Sequence, residues 1–184
     1  MYQTSRPLVF FGLGGVTMLR ENNITWKQRL KELFIDYICI LIYLLILFGI
    51  TMGINYGLLK GIPEFNEWQS QLTAIVTSVI PIVLIFSFLD YTKGSVGKQK
   101  AGLELYYINK TFGASLVRNI IKFLPWQIAH IGIIRGIYTN FDTLSIIFTI
   151  CSMVLAFVLL AMGLVRRDKR HLGDLIAGTQ TQLR

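Results

Sequence analysis

RLKELFIDYICILIYLLILFGI, residues 29–50, decides the fold class. From Leu33 to Leu59 the chain is apolar for long enough, at about 1.5 Å per residue, to cross about 30 Å of hydrocarbon as one helix. Asp36 nevertheless stands near the start of that run, two turns after Arg29. A carboxylate at the bilayer centre costs about 2.5–3.5 kcal/mol on insertion scales, so an intramembrane charge marks a functional site unless it escapes to the interface. Two readings of Asp36 follow. It is either a buried functional group, or half of an interfacial pair with Arg29 or Lys31.

Two further apolar runs, Leu72–Tyr91 and Leu144–Val165, are also long enough to span. Pro81 lies in the middle of the first of these and should kink it, freeing a carbonyl that a neighbouring helix or water must satisfy. The whole chain of 184 residues is 53% hydrophobic and 15% charged, with mean hydropathy +0.56. Soluble domains carry about 25% charged residues, so this is an integral membrane protein, read as a single domain over residues 1–184 with an amino-terminal flank at 1–28. Its net charge of +8 sits in the segments between apolar runs, where it orients the chain and attracts anionic headgroups. Nucleic acid is excluded as a partner on that ground. Cys39 and Cys151 lie inside apolar runs and make no disulfide framework. Residues 7–18 (PLVFFGLGGVTM) are too short to span and lack the flanks of a cleaved signal, so they read as an interfacial or re-entrant segment.

The segment Ser115–Tyr138 is harder to place, because Arg118, Lys122, His130 and Arg135 interrupt its apolar residues. Parity helps. Arg20, Lys27, Arg29 and Lys31 precede the first span, residues 60–71 carry one Lys against two Glu, and Lys93, Lys98, Lys100 and Lys110 follow the second span. The positive-inside rule puts the amino terminus in the cytoplasm, and the basic start of RRDKRHLGDLIAGTQTQLR (166–184) puts the carboxyl tail there too. An even number of crossings follows. The simplest reading makes 115–138 a fourth span, with Arg118 and Lys122 snorkelling inward and Arg135 outward; a re-entrant or interfacial helix is the alternative. The fold class is therefore an all-α membrane protein, a polytopic bundle of four transmembrane helices.

Between the second and third helices, KGSVGKQKAGLELYYINKTFG (93–113) has a different texture. Leu103, Leu105 and Tyr107 alternate with Glu104, Tyr106 and Ile108, which suits a short strand or hairpin at the cytoplasmic surface, turning near Asn109-Lys110. Gly94 and Gly97-Lys98 lack the GxxxxGK[ST] spacing of a phosphate loop, so the lysines here are read as facing anionic lipid.

Helical geometry selects the candidate residues. Seven residues return a helix to within about 20° of its start, so Arg29, Asp36 and Tyr43 share one stripe. A buried Asp36 would bind a proton or cation, its pKa raised by burial and lowered by a nearby positive charge. Asp90 either caps the GSVGK turn or joins Asp36 in an acidic mouth suited to a hard cation such as Na⁺. His130, one turn after Trp126, is either a proton relay or a hydrogen-bonded bundle histidine. Asp174 reads as a helix N-cap, closed by Ala177-Gly178-Thr179, in preference to a metal pair with His171. Among catalytic motifs, neither GxSxG nor HExxH occurs in the chain. No enzymatic activity, cofactor or metal centre is expected.

Three stretches in order, RLKELFID (29–36), GSVGKQKAGLEL (94–105) and HLGDLIAGTQT (171–181), resemble the RDD family of small bacterial membrane proteins. The likeness covers residues 25–181. It implies that Arg29 and Asp36 are the first two signature residues and Asp174 the second aspartate, with Asp90 the other choice for that place. The central LELYY departs from the valine-rich strand usual in the family. Transport has been proposed for the family, sodium/proton antiport for some members, and regulation of other membrane proteins for a few. The expected function is therefore a cation or proton transporter in the bacterial plasma membrane, homo-oligomeric and embedded in lipid, with Na⁺ or H⁺ as its ion. The alternative is a regulatory or immunity-type protein that binds another membrane protein. For that reading the small-residue stripe Gly49, Gly53, Gly57 offers a helix-packing face.

Overall fold

The computed structural model describes residues 8–12, 15–19 and 23–184. Leu8–Gly12 (β1) pairs antiparallel with Gly15–Leu19 (β2), from Leu8 opposite Leu19 to Gly12 opposite Gly15. The interfacial or re-entrant reading of residues 7–18 falls partly on residues 7, 13 and 14, outside the described residues, as does Arg20.

The first long helix, α1 (Trp26–Gly57), starts about two turns earlier than its apolar run. A capping box sets that start: the Gln28 amide donates to Thr25 Oγ1 at 3.3 Å and the Thr25 amide to Gln28 Oε1 at 3.0 Å. Such caps satisfy helix-end amides and contribute about 1 kcal/mol. Asn66 and Gln69 repeat the device at the head of a rod made of α2 (Glu67–Ala74), a π-helical turn (Ile75–Val79) and α3 (Ile80–Thr92). The π turn ends two residues before Pro81. Thr77 carries the carbonyl that an α-helical amide at 81 would have bonded, and it accepts the Tyr43 hydroxyl from α1 at 2.5 Å. The neighbouring helix thus supplies the donor that the proline removed.

A short helix, α4 (Val96–Ala101), and a strand, β3 (Leu103–Tyr107), follow. Leu103 and Tyr107 are buried and Glu104 and Tyr106 exposed, the alternation expected of a strand. The expected local hairpin does not form. The partner of β3 is β4 (Thr179–Leu183) at the carboxyl end, with Leu103 opposite Leu183 and Tyr107 opposite Thr179. Thr111 caps α5 (Phe112–Thr139) before its hairpin could close. Asp142 caps α6 (Thr143–Val165), and a short α7 (Leu172–Ala177) leads into β4.

Among the described residues, α1, the α2–α3 rod and α6 are long and apolar enough to cross a membrane. The 28-residue α5 runs antiparallel along α6, where Gly132 lets the backbones meet: a Cβ there would lie 2.7 Å from Thr149 Oγ1. The core gathers Val79, Ile82, Val83, Phe86 and Phe123, with Phe86 and Phe123 edge to face at 5.2 Å. Most remaining large apolar side chains point outward, as lipid-facing helices require.

At one end of the rods Arg135 pairs with Asp142 (Nη2–Oδ2 2.5 Å), and the Tyr138 hydroxyl donates to the Phe65 carbonyl at 2.5 Å. The opposite end holds the start of α1, the end of α3, the start of α5 and the segment after α6.

Candidate functional site

That opposite end is a buried lattice of charge. On α1, Arg29, Glu32 and Asp36 follow at three- and four-residue steps and share one face, and all three are buried. Arg29 Nη1 meets Glu32 Oε2 at 2.6 Å, and Glu32 Oε1 lies 3.2 Å from Lys98 Nζ. The same Lys98 ammonium reaches Asp90 Oδ1 at 2.8 Å, Arg118 Nη1 reaches Asp90 Oδ2 at 2.6 Å, and Arg118 Nε reaches Asp174 Oδ1 at 2.6 Å. Charges alternate along a chain from Arg29 to Asp174. Beside it, Lys122 Nζ stands 3.6 Å from Asp36 Oδ2. Four cations thus face four carboxylates, which is how a cluster that costs several kcal/mol per ion to bury is held together.

Short elements folded over the helix ends supply the counter-charges. α4 lies so close on α1 that a Cβ at Gly97 would clash with the Glu32 carbonyl and sit 2.6 Å from Asp36 Oδ1. With glycine there, the Gly97 amide donates to Asp36 Oδ1 at 2.8 Å, and Ser95 Oγ donates to Oδ2 at 2.8 Å. α7 presents Asp174 to Arg118, and Thr179 Oγ1 donates to the same carboxylate oxygen at 2.8 Å. The loop between α6 and α7 gives Arg29 its second partner, the Lys169 carbonyl at 2.9 Å.

The titrating groups outside the long helices follow this geometry. Burial pushes the Lys98 ammonium down, but Asp90 foremost, with Glu32, raises it, and the net shift is upward. Burial alone would raise the Asp174 carboxyl. Arg118 holds it well below the usual carboxylate range. His171, with Asp174 nearby, is pulled down by burial to about 3 and is neutral at physiological pH. Its Nδ1 accepts the Gly173 amide at 3.0 Å, so the ring proton sits on Nε2.

Several expectations are corrected here. Arg29 and Asp36 share a stripe yet make no pair, because Glu32 lies between them and takes the guanidinium. Arg118, 1% exposed, does not snorkel, and Lys122 is held inward by Asp36 and by the faces of Phe86 and Phe123, 4.8 and 5.3 Å from its ammonium. Lys98 is wholly buried instead of facing lipid. Asp90 accepts the Ser95 amide at 3.1 Å, as the turn-capping role requires, and its oxygens are taken by Lys98, Arg118 and Asn119, leaving no acidic mouth. At α7 the N-cap is His171, with Asp174 three residues on as its reciprocal partner. The structure gathers Arg29, Asp36, Asp90 and Asp174 within one network. His130 is elsewhere, its Nε2 accepting the Trp126 indole N–H at 3.2 Å within α5. Glu32 escaped the sequence reading, which gave Lys98, Arg118 and Lys122 interfacial roles and no place in the site. For Glu32 the signal was present, three residues from Arg29 and four from Asp36.

A cavity of about 520 Å³ opens beside the network, between α1, α5 and α6. Among the described residues no cluster of three or more His, Cys, Asp or Glu side chains could hold a metal ion. Compared with known proteins, residues 25–178 match the model of the RDD family. No curated protein and no solved structure matches the chain.

Proposed function

The chain belongs to the RDD family, and from that premise we propose that it is a small, non-enzymatic carrier exchanging monovalent cations for protons across the bacterial plasma membrane. The observation that carries this reading is the Asp36–Lys122 pair. At 3.6 Å it is the longest contact in the buried network, while Asp36 keeps two hydrogen-bond donors of its own and lines the cavity. A sodium ion arriving at Asp36 would repel the Lys122 ammonium, which sheds its proton and becomes a neutral amine. Charge inside the low-dielectric site is then the same before and after, so one Na⁺ replaces one H⁺ without the cost of an extra buried charge.

Topology supports the same reading. The starts of α1 and α5 and the ends of α3 and α6 lie together at the network, which fits four crossings with α5 as the fourth. The basic residues cluster at that end, favouring a cytoplasmic position for it and for both termini.

A second reading has its own observation. Among the described residues nothing approaches within 4 Å of a Cβ built at Gly49, Gly53 or Gly57, so these residues leave the small-residue face of α1 uncovered. It could pack against a second copy, giving an oligomeric carrier, or against a foreign membrane protein in a regulatory complex. Reconstituted flux separates the two. In a carrier Asp36→Asn and Lys122→Gln abolish exchange with helicity and oligomer size unchanged; in a regulator no exchange occurs, and Gly53→Leu is the damaging change.

A further inference from the structure

The cavity between α1, α5 and α6 is roofed by the charge network and open to the side. Arg29, Glu32, Asp36, Arg118 and His171, all buried, close its polar end, and its walls are apolar, among them Ile40, Trp126 and Leu160. α1 packs mainly on α4 and barely meets α6, so the opening lies between α1 and α6, beside Tyr37 (61% exposed) and Leu160 (42% exposed). We infer that the cavity binds a neutral, lipid-soluble quinone, whose ring carbonyl accepts a hydrogen bond from Lys122 and whose apolar tail leaves between α1 and α6. This goes beyond the exchange reading and does not depend on it, since occupancy is measured without an ion gradient.

Lys122 selects the head. Its side chain lines the cavity and is 17% exposed, more than any other in the network. Its contact with Asp36, at 3.6 Å, is too long for a hydrogen bond, and its other near neighbours are the faces of Phe86 and Phe123. The ammonium therefore has protons to donate and, among the described residues, no oxygen close enough to accept one. A largely buried donor left unfilled is costly, and an acceptor brought by a ligand removes that cost. That acceptor carries no charge. The network balances Arg29, Lys98, Arg118 and Lys122 against Glu32, Asp36, Asp90 and Asp174, and an added charge would stand unpaired in a low-dielectric interior.

The walls select the rest of the molecule. Phe123, whose ring lies 5.3 Å from the Lys122 ammonium, and Trp126, its centroid 6.2 Å from that of Phe123, line the cavity with Tyr37. Such faces suit a flat ring, through offset or edge-to-face contact. A phospholipid headgroup, which keeps its charges hydrated, does not suit an end closed by residues at most 8% exposed. The volume, about 520 Å³, lies within the range of about 300–1,000 Å³ typical of ligand pockets, enough for a ring and the start of a tail. The remainder of the tail lies in the bilayer beyond the side opening.

Trp126 reports occupancy, because the two other tryptophans, Trp26 and Trp68, are exposed and can be replaced by Phe. The Trp126-only protein is placed in phosphatidylcholine nanodiscs and a decyl-tailed benzoquinone is titrated in, with a membrane-dissolved tryptophan ester giving the baseline of unbound quenching. Saturable quenching above that baseline is expected. Decylbenzene, which has ring and tail but no carbonyl, should displace the quinone only at about tenfold or higher concentration, as a hydrogen bond to a charged donor implies. Lys122→Arg and Asp36→Asn should keep the binding. Asp36→Asn combined with Lys122→Leu, which removes the donor and keeps the charge balance, should weaken it about tenfold or more. Ala156→Phe, which narrows the cavity, should weaken the quinone and decylbenzene alike. Quenching that only follows the baseline, displacement by decylbenzene at equal concentration, or unchanged binding in the double variant would each overturn the assignment. Because Asp36→Asn ends exchange and spares this binding, the two readings fail separately.

Discussion

The Tyr43 hydroxyl is hydrogen-bonded to the Thr77 carbonyl, the acceptor orphaned by Pro81. A proline that would otherwise leave an unsatisfied carbonyl in the membrane is thereby tied to α1, on the stripe that also carries Arg29 and Asp36. Tyr43→Phe should cost about 0.6–1.7 kcal/mol of unfolding free energy in detergent, the range of such bonds between membrane helices. In a Pro81→Ala background, where residue 81 regains an amide, the same substitution should cost less. A double-mutant cycle on unfolding midpoints measures the difference.

Arg118 sits between Asp90 and Asp174 and is 1% exposed. Arg118→Met should destabilise by about 3–5 kcal/mol, because it strands a buried carboxylate. Arg118→Met with Asp174→Leu should lose less than the sum of the two single changes. A loss in the double variant equal to the sum would mean that the pair is not coupled.

Acid should loosen the tail. His171 has a pKa of about 3 in the fold, below its ordinary 6.5, so between these values the unfolded chain binds more protons. The stability His171 allows is complete above pH 6.5 and is lost as the pH falls toward 3. Asp174, also depressed, adds a loss that begins near its ordinary 3.8 and continues below it. Unfolding midpoints should therefore fall from pH 7 to pH 4. His171→Asn, which can keep the N-cap without titrating there, should flatten that slope and leave the steeper loss below pH 4.

Gly97 governs how closely α4 lies on α1. Gly97→Ala should cost about 1–3 kcal/mol by overpacking against the Glu32 carbonyl and Asp36. Hydrogen exchange at the Gly97-equivalent amide should accelerate as its bond to Asp36 stretches.

The long helices were legible because length and hydropathy alone decide them, and Pro81's free carbonyl could be anticipated from the missing amide. The strand Leu103–Tyr107 was legible from its alternation. Its partner was not, since β4 lies more than seventy residues away and pairing over such a distance leaves no local trace. The charges were misread for a related reason. Periodicity gives the face on which Arg118 and Lys98 stand, whereas their buried state depends on α4 and α7 folding over the helix ends with Asp90, Asp174 and Asp36 in reach. Glu32 differs, because its place between Arg29 and Asp36 could have been read from spacing alone.

Asp36 is the residue on which the functional account turns. The most direct measurement is proton release from proteoliposomes under an imposed sodium gradient, with the membrane potential clamped and Asp36→Asn reconstituted alongside. The account predicts sodium-driven proton movement that persists at zero potential, one proton per sodium ion, and disappears in the variant while its helicity and oligomer size are retained. Movement no greater than in empty vesicles under sodium, lithium and potassium gradients, or full exchange by Asp36→Asn, would contradict it.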